Sequence, residues 1–463
     1  MTTATISAPV AGPRAGRREW VGLAVLALPA LLVSLDVFVL VLALPKLAVS
    51  LHADGTEQLW IMDTYGFMVA GFMVTMGTLG DRIGRRKLLL IGAAAFGIAS
   101  VVAAFSTSAG MLIAARGALG IAGATLAPST LSLIGAMFEN PRQRAEAIGI
   151  WAGCFTVGAI IGPIVGGFML EHFWWGSVFL LGVPAMVLLL VIGPKLLPEY
   201  RDETAGRLDL PSVGLSLAAI LPAVYGVKEL ARDGVHAGPV VALGLGLVIG
   251  YVFVKRQRTL EEPLIDFSLF AAKAFRTALG GMLLFSMLGG TTMLFVAQFF
   301  QVAQQLSPVG AALGLLPGMA ASTVSFLAAP VLVRRVEPRV LIAGGVALAA
   351  AGMAVLAFVE PAGGPVWPAL GFAVTSLGVG PMVALGTDLV VGSVPVRKAG
   401  AASALAQTVN EFGYSLGLAT VGTLGSAVVR AHGFASGLHV VAGLAAVAFA
   451  VLVRFVAKNL RTA

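Results

Sequence analysis

The chain has 463 residues, 58% hydrophobic and only 11% charged, with a net charge of +8 and a mean hydropathy of +0.95. Average globular chains carry about 25% charged residues, and a soluble chain of this length needs more polar surface to cover its core, so composition argues against a soluble enzyme, a nucleic-acid binder and a disordered scaffold. The single cysteine, Cys154, leaves no intramolecular disulfide framework and no cysteine-based metal cluster.

A bilayer core of about 30 Å needs roughly 20 apolar residues per helix. Apolar runs between charged breaks predict fourteen spans, at 21–45, 58–80, 88–105, 110–136, 146–170, 175–194, 211–230, 238–254, 277–301, 309–332, 340–359, 366–389, 402–428 and 437–456. The first follows Arg14, Arg17 and Arg18 and is too long for the apolar core of a cleaved signal, so it reads as a retained span. With the termini and every second loop on one side, 25 of the 30 Lys and Arg fall there. Lys46, Lys228, Arg232 and Arg430 fall opposite, and Arg116 lies inside span 4. This asymmetry follows the positive-inside rule. It places both termini in the cytoplasm and accounts for the basic balance without nucleic acid. Trp20, Trp60, Trp174, Trp175 and Trp367 fall at expected interfaces, as an aromatic belt requires.

A weak internal repeat is visible. The basic stretch Arg82–Gly92 (RIGRRKLLLIG) recurs as Arg334–Gly344 (RRVEPRVLIAG), and Pro128 recurs as Pro381 at nearly the same offset. The expected fold is therefore an all-α polytopic membrane protein of two six-helix bundles with two inserted helices, a common transporter design with the substrate path between the halves. The expected division is a cytoplasmic N-terminus at 1–20, a first bundle at 21–194, an inserted linker pair at 195–276, a second bundle at 277–456 and a cytoplasmic tail at 457–463.

No G-x-x-x-x-G-K-[ST] is present to hold ATP. The histidines, His52, His172, His236, His432 and His439, all lie on or near the outer face, without metal-ligand spacing. No cofactor or metal is expected, and an energy-coupled device without ATP must draw on an ion gradient.

An ionisable side chain at the centre of a span costs about 2.5–3.5 kcal/mol on insertion scales, so each needs a reason. Asp36 (span 1), Asp63 (span 2), Arg116 (span 4) and Glu411 (span 13) stand out, while Asp388 lies at the cytoplasmic end of span 12 within reach of water. Asp36 reads either as a protonation site that meets a cationic substrate or as a structural partner of Arg116. Asp63, one turn inside the outer end of its span, reads either as functional or as an anchor. Glu411 has no cation near it in its own span and reads as part of a proton or cation site. Phe38, Tyr65, Phe295 and Tyr414 can stack on a cation or serve as packing bulk.

Four motifs resemble a known family. GTLGDRIGRRKLLL (Gly77–Leu90) resembles the cytoplasmic signature of the major facilitator superfamily through Gly77, Asp81, Arg82, Gly84, Arg85 and Arg86. Its glycines allow close helix contact and a tight turn, and Asp81 can cap a helix or pair with Arg82 or Arg85 in a gate that breaks and reforms. In the second half Val333 stands where Asp81 would align. GIWAGCFTVGAIIGPIVGG is similar to the antiporter signature of span 5, with Gly149, Gly158, Gly162, Pro163, Gly166 and Gly167 all in place. LDVFVLVLALP (Leu35–Pro45) resembles span 1 of the fourteen-span drug:proton antiporters, with Phe38 and Val41 replacing the usual polar residues. LWIMDTYGFMVAG resembles span 2 of their quaternary-ammonium efflux pumps.

The resemblance implies a proton-driven exporter of lipophilic, mainly monovalent cations, with Asp36, Asp63, Glu411 and Arg116 coupling proton and cargo. It also implies a monomer in a bacterial cytoplasmic membrane. Two alternatives stay open: an exporter of an endogenous antibiotic, lipid or siderophore, and a non-transporting membrane enzyme or sensor.

Overall fold

The apolar runs fold as helices because a segment surrounded by lipid must satisfy its backbone N–H and C=O groups internally. The structure, a computed structural model, describes residues 14–201, 209–260, 263, 267–333, 335–392 and 399–459, and no β-strand occurs among them. The expected N-terminus up to residue 13 and the tail from residue 460 lie outside the described residues, as do the side chains of Phe38, Asp81 and Asp388.

The first bundle comprises α1 (Arg17–Leu51), α2 (Gly55–Ile83), α3 (Arg85–Ala104), α4 (Ala109–Met137), α5 (Pro141–His172) and α6 (Ser177–Leu196). Then come α7 (Leu210–Asp233) and α8 (Ala237–Gln257). The remaining helices are α9 (Lys273–Gln298), α10 (Pro308–Leu332), α11 (Pro338–Leu356), α12 (Val366–Gly392), α13 and α14 (Phe434–Asn459). Helix α13 runs from Ala399–Gly417 through a π-helical turn, Leu418–Gly422, into Thr423–His432. A second π-helical turn, Phe299–Ala303, ends α9.

Local chemistry sets these boundaries. Asp54 caps α2 by accepting from the amides of Thr56 and Glu57, while Glu57 accepts from the Asp54 amide, a reciprocal capping box. Ser108 and Ser307 cap α4 and α10 through the amides of Met111 and Gly310. Gly84 alone separates α2 from α3; its φ of 106° lies where a side chain is strained, so the turn needs glycine.

Thirteen spans among the described residues are long and apolar enough to cross a membrane. The expected span 2 is not among them. Helix α2 has 29 residues, and the side chains of Val74, Thr78 and Asp81 on it lie outside the described residues. It is nonetheless packed into the protein, against α4 and α13.

Helix pairing repeats along the chain. α1 packs on α5, α2 on α4, and α3 on both α4 and α6. Eight helices later, α9 packs on α13, α10 on α12, and α11 on both α12 and α14. The two bundles meet along α5/α10 on one flank and α2/α13 on the other. Helices α7 and α8 pack mainly on each other. Near residue 210 they are fastened by Arg256, whose Nη2 lies 2.7 Å from Asp209 Oδ1, and by Ser212, which accepts from Gln257 Nε2 at 2.6 Å. Burial alone would push the Asp209 carboxyl up, but its hydrogen bonds from Arg256 and Ser212 outweigh burial and hold it below its ordinary value. The lock is therefore ionised above the carboxylate range and is lost only as pH falls through that lowered value.

Candidate functional site

The ionisable residues of the spans converge from different helices. Arg116, on α4, is 1% exposed, and its Nη1 lies 2.6 Å from Oδ2 of Asp36 on α1, whose side chain is 13% exposed. Arg116 also donates through Nε to the Ile61 carbonyl at 3.1 Å and sits over the Tyr65 ring, 4.6 Å from its centroid. Charge, hydrogen bond and aromatic face together hold the guanidinium, as burial of a cation requires.

Next to this pair lies a cavity of about 220 Å³, walled by α1, α2, α4, α5, α9 and α13. Arg116, Tyr65, Glu411 and Tyr414 line it, with Trp151 and Phe155 of α5 as an aromatic wall. Trp151 and Phe155 meet edge to face at 5.0 Å. Glu411 Oε1 accepts from Gln407 Nε2 at 3.2 Å, one helical turn away on α13. The Tyr65 and Tyr414 hydroxyls are buried without a hydrogen-bond partner. With Arg116 neutralised by Asp36, Glu411 is the wall's remaining charge among the described residues.

Other expected site residues lie elsewhere. Asp63 is fully buried at the α2/α13 contact, where its carbonyl accepts from Ser415 Oγ at 3.2 Å, and it is not on the cavity wall. Phe295, expected among the pocket aromatics, packs instead beside Gly425 and Gly437, between α13 and α14. Phe38 is placed on α1, but its side chain lies outside the described residues.

The loop motif and the antiporter motif form contacts rather than the cavity. Gly84 makes the turn, Arg85 is buried beside Gly80, and Gly77 has open space around it. Arg82 is half-buried at the end of α2. Arg86 Nε pairs with Glu199 Oε2 at 3.3 Å, and its amide donates to Glu199 Oε1 at 3.1 Å. Among the described side chains, Glu199, just past α6, is an acid that pairs with this loop; the side chain of Asp81, the expected partner, lies outside the described residues.

In α5, a Cβ on Gly158 would meet the Leu31 carbonyl at 2.5 Å, and one on Gly166 would meet Val39 at 2.8 Å, so these glycines let α5 lie directly on α1. Gly162 and Pro163 are buried, while Gly149 is exposed with nothing within 4 Å of a Cβ there. Gly167 faces the other bundle, where a Cβ would lie 3.0 Å from the Pro308 carbonyl of α10. Close by, Glu171 Oε1 accepts from the Val309 amide at 3.3 Å. On the other flank Arg430 of α13 reaches the start of α2 at Gly55.

The bundles are therefore joined at the end away from the chain termini. Gly167→Leu is expected to force this end apart. Overpacking of about 1–3 kcal/mol would shift the balance toward the opposite opening, read as increased modification of single cysteines placed near residue 171.

Two quasi-repeated helical bundles around a buried, charge-bearing cavity define a multi-pass membrane transporter. Residues 26–418 match the family model of the Major Facilitator Superfamily. The multidrug efflux pump LfrA of Mycolicibacterium smegmatis is 43% identical over 420 residues, covering 90% of this chain and 83% of that protein. The methyl viologen resistance protein SmvA of Salmonella typhimurium is 36% identical over 439 residues, covering 93% and 86%. A solved peptide transporter POT in complex with sulfate superposes with a TM-score of 0.70 at 18% identity, covering 94% of each chain, a likeness of fold. The chain belongs to the Major Facilitator Superfamily and is a transporter, not an enzyme.

Proposed function

We propose that the chain is a proton-coupled multidrug antiporter that exports lipophilic, mainly monovalent cations, such as quaternary ammonium compounds and dyes, by alternating access. It works as a monomer in a bacterial inner membrane with both termini in the cytoplasm. The two bundles, 21–194 and 277–456, rock about the cavity, with α2 as the fourteenth span. The observation that carries this reading is Glu411: a carboxylate on an aromatic-lined wall, with an amide rather than a cation as its partner. The names of the efflux relatives point the same way.

In the state described, the outer ends of the bundles are joined and the cavity lies toward the cytoplasmic side. A cation entering from the cytoplasm meets Glu411 between Tyr65, Tyr414 and Trp151 and displaces its proton. The Asp36–Arg116 pair holds α1 against α4 while the outer contacts at Gly167 and Glu171 part. Protons from outside then release the cargo. At about 220 Å³ the cavity is smaller than the roughly 300–1,000 Å³ of drug-sized sites, so loading requires the inner side to widen.

The test is proton release. Adding tetraphenylphosphonium or ethidium to purified, weakly buffered protein should acidify the solution in proportion to protein. Saturable dye binding with no acidification would remove the coupling from this reading.

A further inference from the structure

Two bundles leave two seams facing lipid, α2/α13 and α5/α10. Both close at the outer end and gape toward the end that bears the termini. On α5, Gly167 touches Pro308 and Val309 of α10, whereas Gly149, on the same face five turns earlier, meets nothing within 4 Å. Gly153 is equally open. On α2, Gly66 touches Ser415 and the Glu411 backbone of α13, whereas Gly77, three turns on and on nearly the same face, meets nothing within 4 Å.

The seams differ in what covers them. Helix α7 lies over α2/α13. Leu217 fills the space beside Gly71 of α2. Val224 is buried with Phe67 of α2 and Ala419 of α13, and Ile220, Trp60 and Phe412 pack around them. Leu217, Ile220 and Val224 follow helical spacing, so one stripe of α7 touches both bundles. The Asp209–Arg256 lock holds α8 behind it, and α8 turns Val241 and Tyr251 outward. Among the described residues no helix crosses the outside of α5/α10, where Ile150, Val157, Val324 and Leu327 are exposed.

We propose that α7, backed by α8, seals the α2/α13 seam against lipid, so that a lipophilic cation dissolved in the leaflet beside the termini enters the cavity through the α5/α10 seam alone. The identity of the cargo rests on the function proposed above; the seal does not. Trp151 and Phe155, beside Gly149 and Gly153 on α5, reach the cavity wall and offer aromatic faces along this route to Glu411.

The chain's one cysteine permits a Cys154→Ser background, with a nitroxide attached in turn at Gly149→Cys and Phe412→Cys and the protein reconstituted in phosphatidylcholine vesicles. Molecular oxygen concentrates in lipid. The label at 149 should show several-fold greater oxygen collision than the label at 412, and adding Ile220→Ala with Val224→Ala should raise the value at 412. Equal oxygen exposure at the two positions with α7 intact overturns the seal.

In a second arm, Gly153→Trp, which fills the open seam, should slow tetraphenylphosphonium efflux by at least about fivefold, while Val241→Trp on the outward face of α8 leaves it unchanged. Unaltered efflux in Gly153→Trp overturns the entry route. A parent protein that moves no lipophilic cation sinks the proposed cargo and with it the entry route, while the nitroxide comparison still decides the seal.

Discussion

Replacing Arg116 with leucine is expected to abolish efflux and to destabilise the protein by about 3–5 kcal/mol, the penalty for stranding one member of a buried ion pair. Asp36 keeps a 2.6 Å contact with a guanidinium that is itself almost fully buried, and among the described residues no other cation pairs with it. Without Arg116, the carboxylate either stays charged in a medium that solvates it poorly or takes up a proton. Asp36→Asn combined with Arg116→Leu removes both charges together, so it should recover most of the lost stability and none of the transport. Thermal unfolding of the four proteins of this cycle in one detergent measures the coupling. An Arg116→Leu protein that melts with the parent would mean that the pair bears no structural weight.

Glu411→Gln is expected to weaken binding of a monovalent lipophilic cation by about 10- to 150-fold, since a contact to a charged group contributes about 1.5–3 kcal/mol. It should also eliminate cargo-triggered proton release. The sign of the pH dependence follows from competition: the ionised carboxylate binds cargo, so affinity in the parent rises with pH, and in Glu411→Gln it should be flat. Glu411→Asp keeps the charge on a shorter stem and should retain the slope with reduced affinity. Equilibrium dye binding across pH reads both quantities. A Glu411→Gln protein with the parent's slope would move the exchange to another carboxylate.

Those features of the site that depend on the cost of charge in a lipid-facing helix were legible in the sequence. Asp36, Arg116 and Glu411 stand out because apolar runs surround them, and the structure brings Arg116 and Asp36 into contact and places Glu411 on the cavity wall. The Gly84 turn was legible for a similar reason, because few residues other than glycine adopt its backbone. Contacts between distant segments left no local signal. Glu199 reaches Arg86 across 113 residues. Glu171 joins α5 to the Val309 amide only because Gly167 admits α10 so closely. Aromatic type alone did not separate Tyr65, which lies under Arg116, from Phe295, which fills space between α13 and α14. Gln407 had a signal: it lies one turn before Glu411 on the same helical face.

The closed Asp36–Arg116 pair also sets the electrical character of the proposed cycle. With those two charges spoken for, a single carboxylate trades one hydrogen ion inward for one monovalent cargo outward, and no net current flows. A pump of this kind draws on the difference in acidity between compartments and is indifferent to voltage, so it keeps running in a depolarised cell whose surroundings remain sour.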